Sequence, residues 1–361
     1  METIDRYLRQ KQIDLAHSIA ARAKVYLDQR YWIIARDAAA GIRTGASSRK
    51  LLHFLRRGVA NGTLICPIGT STFLELMKQT HSESRRIGTA NLIDELSLGV
   101  TMLPSQAMMG TEIHSCFLTR MGKSIYDMQE LIWTKVAYVL GPIHPTLPNA
   151  DAETELLIQK AIVDRMWEQS LTGMVNTIGD AAQPPDEYQE IASRIDQQNA
   201  AHAHEIRSFE QAFRHELKGV AEACAPMTAE IGAHFESRSN QSAEQHDWHV
   251  QTWMARLLLC ELMSRPENRG ALRSLCISAT LYAASRWDKQ RRFKANDLYD
   301  FDHSVCALGY CDAFLTEGPL HHLTSEPRLA LAEINNCRII SDLDGAVDFL
   351  RNLPTSRSQR V

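Results

Sequence analysis

The stretch that decides the fold is Asn296-Asp297-Leu298-Tyr299-Asp300-Phe301-Asp302-His303-Ser304-Val305-Cys306-Ala307-Leu308-Gly309-Tyr310-Cys311-Asp312-Ala313-Phe314-Leu315-Thr316-Glu317-Gly318. Its first half sets acids at a helix start, where the positive end of the helix dipole favours them, and continues with small and apolar residues at helical spacing. Its second half, Ala313-Phe314-Leu315-Thr316, is a short apolar run that closes on Glu317. Strands buried on both faces of a parallel sheet read this way. A helix that runs straight into such a strand is half of a crossover unit, so the stretch predicts a parallel sheet.

Three other runs supply neighbours for that strand. Lys24-Val25-Tyr26-Leu27 stops at Asp28, and Cys337-Arg338-Ile339-Ile340 stops at Ser341. Thr63-Leu64-Ile65-Cys66 follows the turn signal Asn61-Gly62 and ends at the breakers Pro67 and Gly69. Thr70, Ser71 or Thr72 is placed to cap a helix through Phe73, Leu74, Glu75, Leu76 and Met77, and Ser341 to cap a last helix over about 342–350.

Residues 88–290 read differently. The segments 151–178, 186–223 and Asp247–Met263 show helical spacing, with breaks at Gly141-Pro142 to Pro148, at Pro184-Pro185, at Pro226 and at Pro266. The expected fold is therefore α/β. A parallel sheet flanked by helices is assembled from both ends of the chain, residues 1–87 and 291–361, and carries a large all-α insertion, residues 88–290. The tail after Pro354 is expected to fray.

Composition excludes several classes. The 361 residues are 44% hydrophobic and 23% charged, which rules out a disordered chain, a collagen-like repeat and a small disulfide scaffold. A net charge of −4 confines any nucleic-acid contact to local basic patches. No run approaches the roughly 18 apolar residues of a membrane span, and the first 20 residues hold no apolar leader. The eight cysteines are scattered without a C-x-x-C pair, so reduced thiols and a cytoplasmic location are expected. The phosphate-binding patterns G-x-G-x-x-G and G-x-x-x-x-G-K-[ST] are absent, as is the serine-nucleophile pattern G-x-S-x-G.

The chemistry lies in the acids. Open parallel sheets bind ligands at the carboxyl ends of their strands. Asp28 ends the first strand, Glu75 sits in the helix after the second, one of Asp297, Asp300 and Asp302 lies in the helix before the third, and Glu317 closes the third. Singly each has a plain role: Asp28 in a turn, Glu75 on a solvated helix face, Asp297 as a helix cap. Jointly they would converge on one edge. Carboxylates at close range raise one another's pKa unless a cation intervenes, and oxygen-rich clusters suit Mg²⁺ or Mn²⁺. Such an ion can activate water and stabilise charge on a phosphate.

With these residues in view, the two ends of the chain resemble a PIN-domain nuclease. The resemblance rests on Val25-Tyr26-Leu27-Asp28, on Ser71-Thr72-Phe73-Leu74-Glu75-Leu76 and on the run Asn296–Gly318, and it covers about 150 residues, roughly 22–87 and 291–352. It implies a metal-dependent endoribonuclease with three or four acids around one or two divalent ions, leaving a 3′-hydroxyl and a 5′-phosphate. Asp28 matches the family's first acid and Glu75 its second. Asp300, sixteen residues before Thr316, has a spacing that looks like that of the third. At roughly 100° per residue, Asp300 and Asp302 flank the face of Phe301, Val305 and Leu308 about equally, and including Leu298 tilts the choice toward Asp302. The family's Thr-x-Asp is not kept, because Gly318 stands in the acid's place. Glu317 is the candidate fourth acid and Asp312, at the start of the strand, the substitute. The resemblance thus gives Asp28, Glu75, Asp300 and Glu317 as catalytic, and Asp28, Glu75, Asp300, Asp302 and Asp312 as metal ligands.

Arg30, Arg36, Arg43, Arg49, Lys50, Arg56 and Arg57, together with Lys289, Arg291, Arg292 and Lys294, could hold a phosphate backbone, and Tyr31, Trp32 and Phe293 could stack on unpaired bases. His246 and His249 form an i,i+3 pair without a third ligand at zinc-site spacing, and read as surface residues. RNA is the expected partner. A second copy or another protein could dock on the helical region, and no membrane contact is expected. The competing readings are an inactive binding module of the same fold, suggested by Thr316-Glu317-Gly318, and a helical adaptor whose ends merely close the chain.

Overall fold

The computed structural model describes residues 3–79, 83–123, 125–179, 187–238, 247–329 and 331–353. Pro184-Pro185, His246 and the tail from Pro354 lie outside them. The strands are β1 (Ala23–Leu27), β2 (Leu64–Ile65), β3 (Val100–Met102), β4 (Trp133–Lys135), β5 (Ala313–Leu315) and β6 (Arg338–Ile340). Four of them form a parallel sheet in the order β2-β1-β5-β6, so both ends of the chain meet in one α/β unit. Val25 pairs with Ala313, Leu27 with Leu315 and Phe314 with Ile339.

Alternation along the strands explains why the sheet is buried on both sides. Val25, Leu27, Leu64, Ala313 and Leu315 face one core, shared with Trp32, Leu51, Leu55 and Phe73. Tyr26, Ile65 and Phe314 face a second, shared with Met108, Trp133, Ile277, Leu281 and Leu308. That second core joins the sheet to residues of the 88–290 segment. A third cluster is purely helical, with Ile113, Leu217, Ala221, Leu259, Leu262 and Leu275 at its centre.

Several expectations are corrected. The segment 88–290 is not all-α: β3 and β4 pair antiparallel, Thr101 opposite Thr134. The β3 strand also lies parallel to the chain just after β2, where the Met102 amide donates to the Ile68 carbonyl at 2.9 Å. Unlike β5, an unbroken apolar run, β3 and β4 each carry a central threonine and are too short to show an alternating period in sequence. Pro226 does not break the chain but sits inside the helix Phe209–Arg238. That helix packs against both the helix Trp248–Ser264 and the helix Arg273–Trp287, burial that works against the about 3 kcal/mol a proline costs in a helix interior. The helix Thr70–Met77 is capped at Gly69 with no side-chain cap bond, and the last helix, Leu343–Arg351, is capped by Asp342 rather than Ser341. All eight cysteines are free. Among the described residues no helix is long and apolar enough to cross a membrane.

Candidate functional site

The carboxyl ends of β1 and β5 fix two of the acids. The Asp28 amide donates to the Leu315 carbonyl at 3.0 Å and the Thr316 amide to the Ile340 carbonyl at 2.9 Å, which carries the ladder one residue past each strand. Asp28 then turns the chain into the helix Gln29–Ala39, and its carboxylate accepts from the Tyr31 amide at 3.2 Å. Glu317 begins the helix Gly318–Thr324.

Glu75 arrives on the helix Thr70–Met77, whose Phe73, Leu76 and Met77 are buried. That helix starts where Gly69 passes close to Tyr26 and Cys306: a Cβ there would stand 2.9 Å from the Tyr26 hydroxyl, so a larger residue would push the helix outward. Asp300 and His303 come one turn apart on the helix Ala295–Tyr310.

Asp28, Glu75, Asp300, His303 and Glu317 line one cavity of about 360 Å³, with Arg30, Arg43 and Asn296 also on its wall. His303, 1% exposed, was not singled out in the sequence. Its Nε2 lies 2.9 Å from Glu75 Oε2 and its Nδ1 2.9 Å from the Tyr26 hydroxyl. The signal for it was its i+3 spacing from Asp300, which puts both side chains on one helix face.

The electrostatics follow from burial. Desolvation raises Asp28 to about 6, helped by the Glu317 charge and opposed by the Thr316 hydroxyl, His303 and the Tyr31 amide. Desolvation raises Asp300 to about 7, with Glu317, Glu75 and Asp297 adding and His303 opposing. Burial works against a proton on His303, but Glu75, Asp302 and Asp28 outweigh it and push that imidazole up to about 9. The cavity therefore sets His303, Arg30 and Arg43 among several acids, two of which burial raises above the usual carboxylate range.

Three of the sequence candidates, Asp302, Asp312 and Asp297, are not brought to this cavity. Asp302 points instead to Ser71, whose hydroxyl donates to it at 2.6 Å, and to the Ser105 hydroxyl. Its neighbour Asp300 takes the place beside His303. Asp312 lies at the opposite end of β5, where it accepts from the Lys24 amide at 2.7 Å and lines a separate cavity with His17 and Glu130. Asp297 is tied to Arg291 and to the Lys294 amide.

The basic and aromatic candidates divide too. Arg30 and Arg43 line the cavity, Arg43 while paired with Asp37 at 3.3 Å; Arg36 also pairs with Asp37, Arg56 with Glu95 and Arg292 with Asp196. Tyr31, Trp32 and Phe293 are 1%, 1% and 5% exposed, so they are core residues and not stacking platforms.

The donor chemistry suits a hard divalent cation: four carboxylates and an amide oxygen, with Asp28 and Asp300 raised by desolvation. Among the described residues, no three His, Cys, Asp or Glu side chains already stand together at metal-binding distance. Compared with known protein families, with curated proteins and with solved structures, the chain matches none.

Proposed function

We propose that the protein is a cytosolic, Mg²⁺- or Mn²⁺-dependent endonuclease of the PIN-like type, acting on RNA. The observation that carries this reading is the meeting of Asp28, Glu75, Asp300 and Glu317, drawn from separate segments of the chain, in one cavity at the carboxyl edge of the sheet. A divalent ion bound among such oxygens polarises a phosphate and makes water nucleophilic near neutral pH.

The chain's own groups have distinct parts in this account. Asp28 and Asp300, both raised by desolvation, would be the principal oxygen donors to the ion. Glu75 is oriented by the imidazolium of His303, which is anchored in turn by the Tyr26 hydroxyl. Glu317, exposed at the rim, assists. Arg30 and Arg43, on the cavity wall, offer guanidinium groups that match phosphate geometry.

The experiment is Mn²⁺-dependent cleavage of end-labelled, unstructured single-stranded RNA. Cleavage lost in both Asp28→Asn and Glu75→Gln, with circular dichroism unchanged, supports the reading. Wild-type protein that leaves RNA intact across Mg²⁺ and Mn²⁺ concentrations contradicts it.

One observation favours a second reading. The His303–Glu75 pair already places a cation among the acids, which a module that has given up its metal would need. In that case the fold binds a partner without catalysis.

A further inference from the structure

The helix Trp248–Ser264 is apolar on two opposite faces. Leu259, Leu262 and Met263 are buried with Leu217, Ala221 and Cys224 of the helix Phe209–Arg238, and Ala255 with Ala225 and Ala229. The other face carries Val250, Trp253, Met254, Leu257 and Leu258, which stay 47, 58, 58, 48 and 41% exposed. At about 100° per residue these five positions form one stripe. Single exposed apolar side chains are ordinary, but a contiguous stripe of this kind marks a contact face.

We propose that this stripe is a homodimer interface, in which the helices Trp248–Ser264 of two copies pack antiparallel across a two-fold axis. Three arguments select a second copy as the occupant. The first is that no segment outside the described residues carries a run of large apolar side chains. The nearest, 239–246, reads Ser-Asn-Gln-Ser-Ala-Glu-Gln-His.

The second argument is area. The exposed parts of the five side chains offer on the order of 500 Å² of apolar surface per copy, close to the apolar share of a standard face of about 800 Å². The third is self-complementarity. The stripe has an acid, Asp247, at its N-terminal end and a base, Arg265, at its C-terminal end. With the axis between Met254 and Leu257, antiparallel packing sets Trp253 against the partner's Leu258 and Arg265 near the partner's Asp247. Arg265 is paired with Glu261 in its own helix, but a guanidinium has donors for both. Antiparallel helices also bring opposite dipole ends together. The proposal does not rest on the nuclease reading, because the cavity lies in the α/β unit.

The test is sedimentation equilibrium of the full chain at micromolar concentration, with circular dichroism as a control of folding. The wild type is expected at twice the chain mass of 40.7 kDa. Trp253→Glu combined with Leu257→Glu, both on an exposed surface, should give the folded monomer. Arg265→Glu alone should raise the dissociation constant about ten-fold. A wild-type monomer at 100-fold higher concentration overturns the proposal. So does a monomer that instead binds lipid vesicles through the stripe, or a dimer that survives the double glutamate variant.

Discussion

The Nε2 of His303 and the Oε2 of Glu75 stand 2.9 Å apart although 228 residues separate them in sequence. With its other nitrogen on Tyr26, His303 ties β1, the helix Thr70–Met77 and the helix Ala295–Tyr310 at one point. His303→Ala should therefore lower cleavage about 10–100-fold, as loss of a group that orients a metal ligand does. The measurement is Mn²⁺ affinity beside activity. Tighter Mn²⁺ binding in His303→Ala would favour the reading in which the imidazolium stands in for the metal.

Asp300 and Asp302 are two residues apart and face different surroundings. Asp300→Asn should lower cleavage about 100-fold or more, the scale of losing a group that meets developing charge. Asp302→Asn should leave most of the activity and cost about 1 kcal/mol of stability through its bonds to Ser71 and Ser105. Asp312→Asn should behave like Asp302→Asn. Activity assays beside urea unfolding check this; equal loss of activity in Asp300→Asn and Asp302→Asn would move the site.

Arg30 and Arg43 are the two arginines on the cavity wall. Alanine at both should weaken RNA binding across sequences and flatten its dependence on salt by a slope of about two or less. Fluorescence anisotropy over a range of KCl concentrations measures the slope. An unchanged slope would mean that nucleic acid, if bound, is held elsewhere.

Glu112 predicts a pH effect on stability away from the site. It is fully buried and accepts from the Ser274 amide and hydroxyl and from the Tyr310 hydroxyl, yet burial still raises it to about 7. The folded state thus holds the proton more tightly than the unfolded chain. Stability should fall as pH rises from about 4.5 through about 7, by about 3 kcal/mol from this group. Urea unfolding at pH 5 and pH 7.5 measures the fall, and Glu112→Gln should remove most of it.

The parallel sheet was legible because its strands are buried on both faces. Val25-Tyr26-Leu27 and Ala313-Phe314-Leu315 leave no polar position to blur the run. The acids at the strand ends were legible because a charged residue interrupts each apolar run, although Asp28 itself stays buried. The strands β3 and β4 were not, because Val100-Thr101-Met102 and Trp133-Thr134-Lys135 are each interrupted by a threonine, make no continuous apolar run and lie among helices. Choosing Asp300 over Asp302 was beyond a helical wheel, since both flank the buried face and only the serines Ser71 and Ser105 claim Asp302. Tyr31 and Trp32 misled because an aromatic beside arginines reads as a stacking surface, whereas the cap at Asp28 turns both rings into the core.

The central claim is that Asp28 and Asp300 share a divalent cation. Calorimetric titration of the metal-free protein with Mn²⁺ at pH 7.5 tests it most directly. The account predicts saturable binding that is weakened at least ten-fold in Asp28→Asn and in Asp300→Asn and kept in Asp302→Asn. Wild-type protein that takes up no Mn²⁺, or binding that survives both of the first two substitutions, would contradict it.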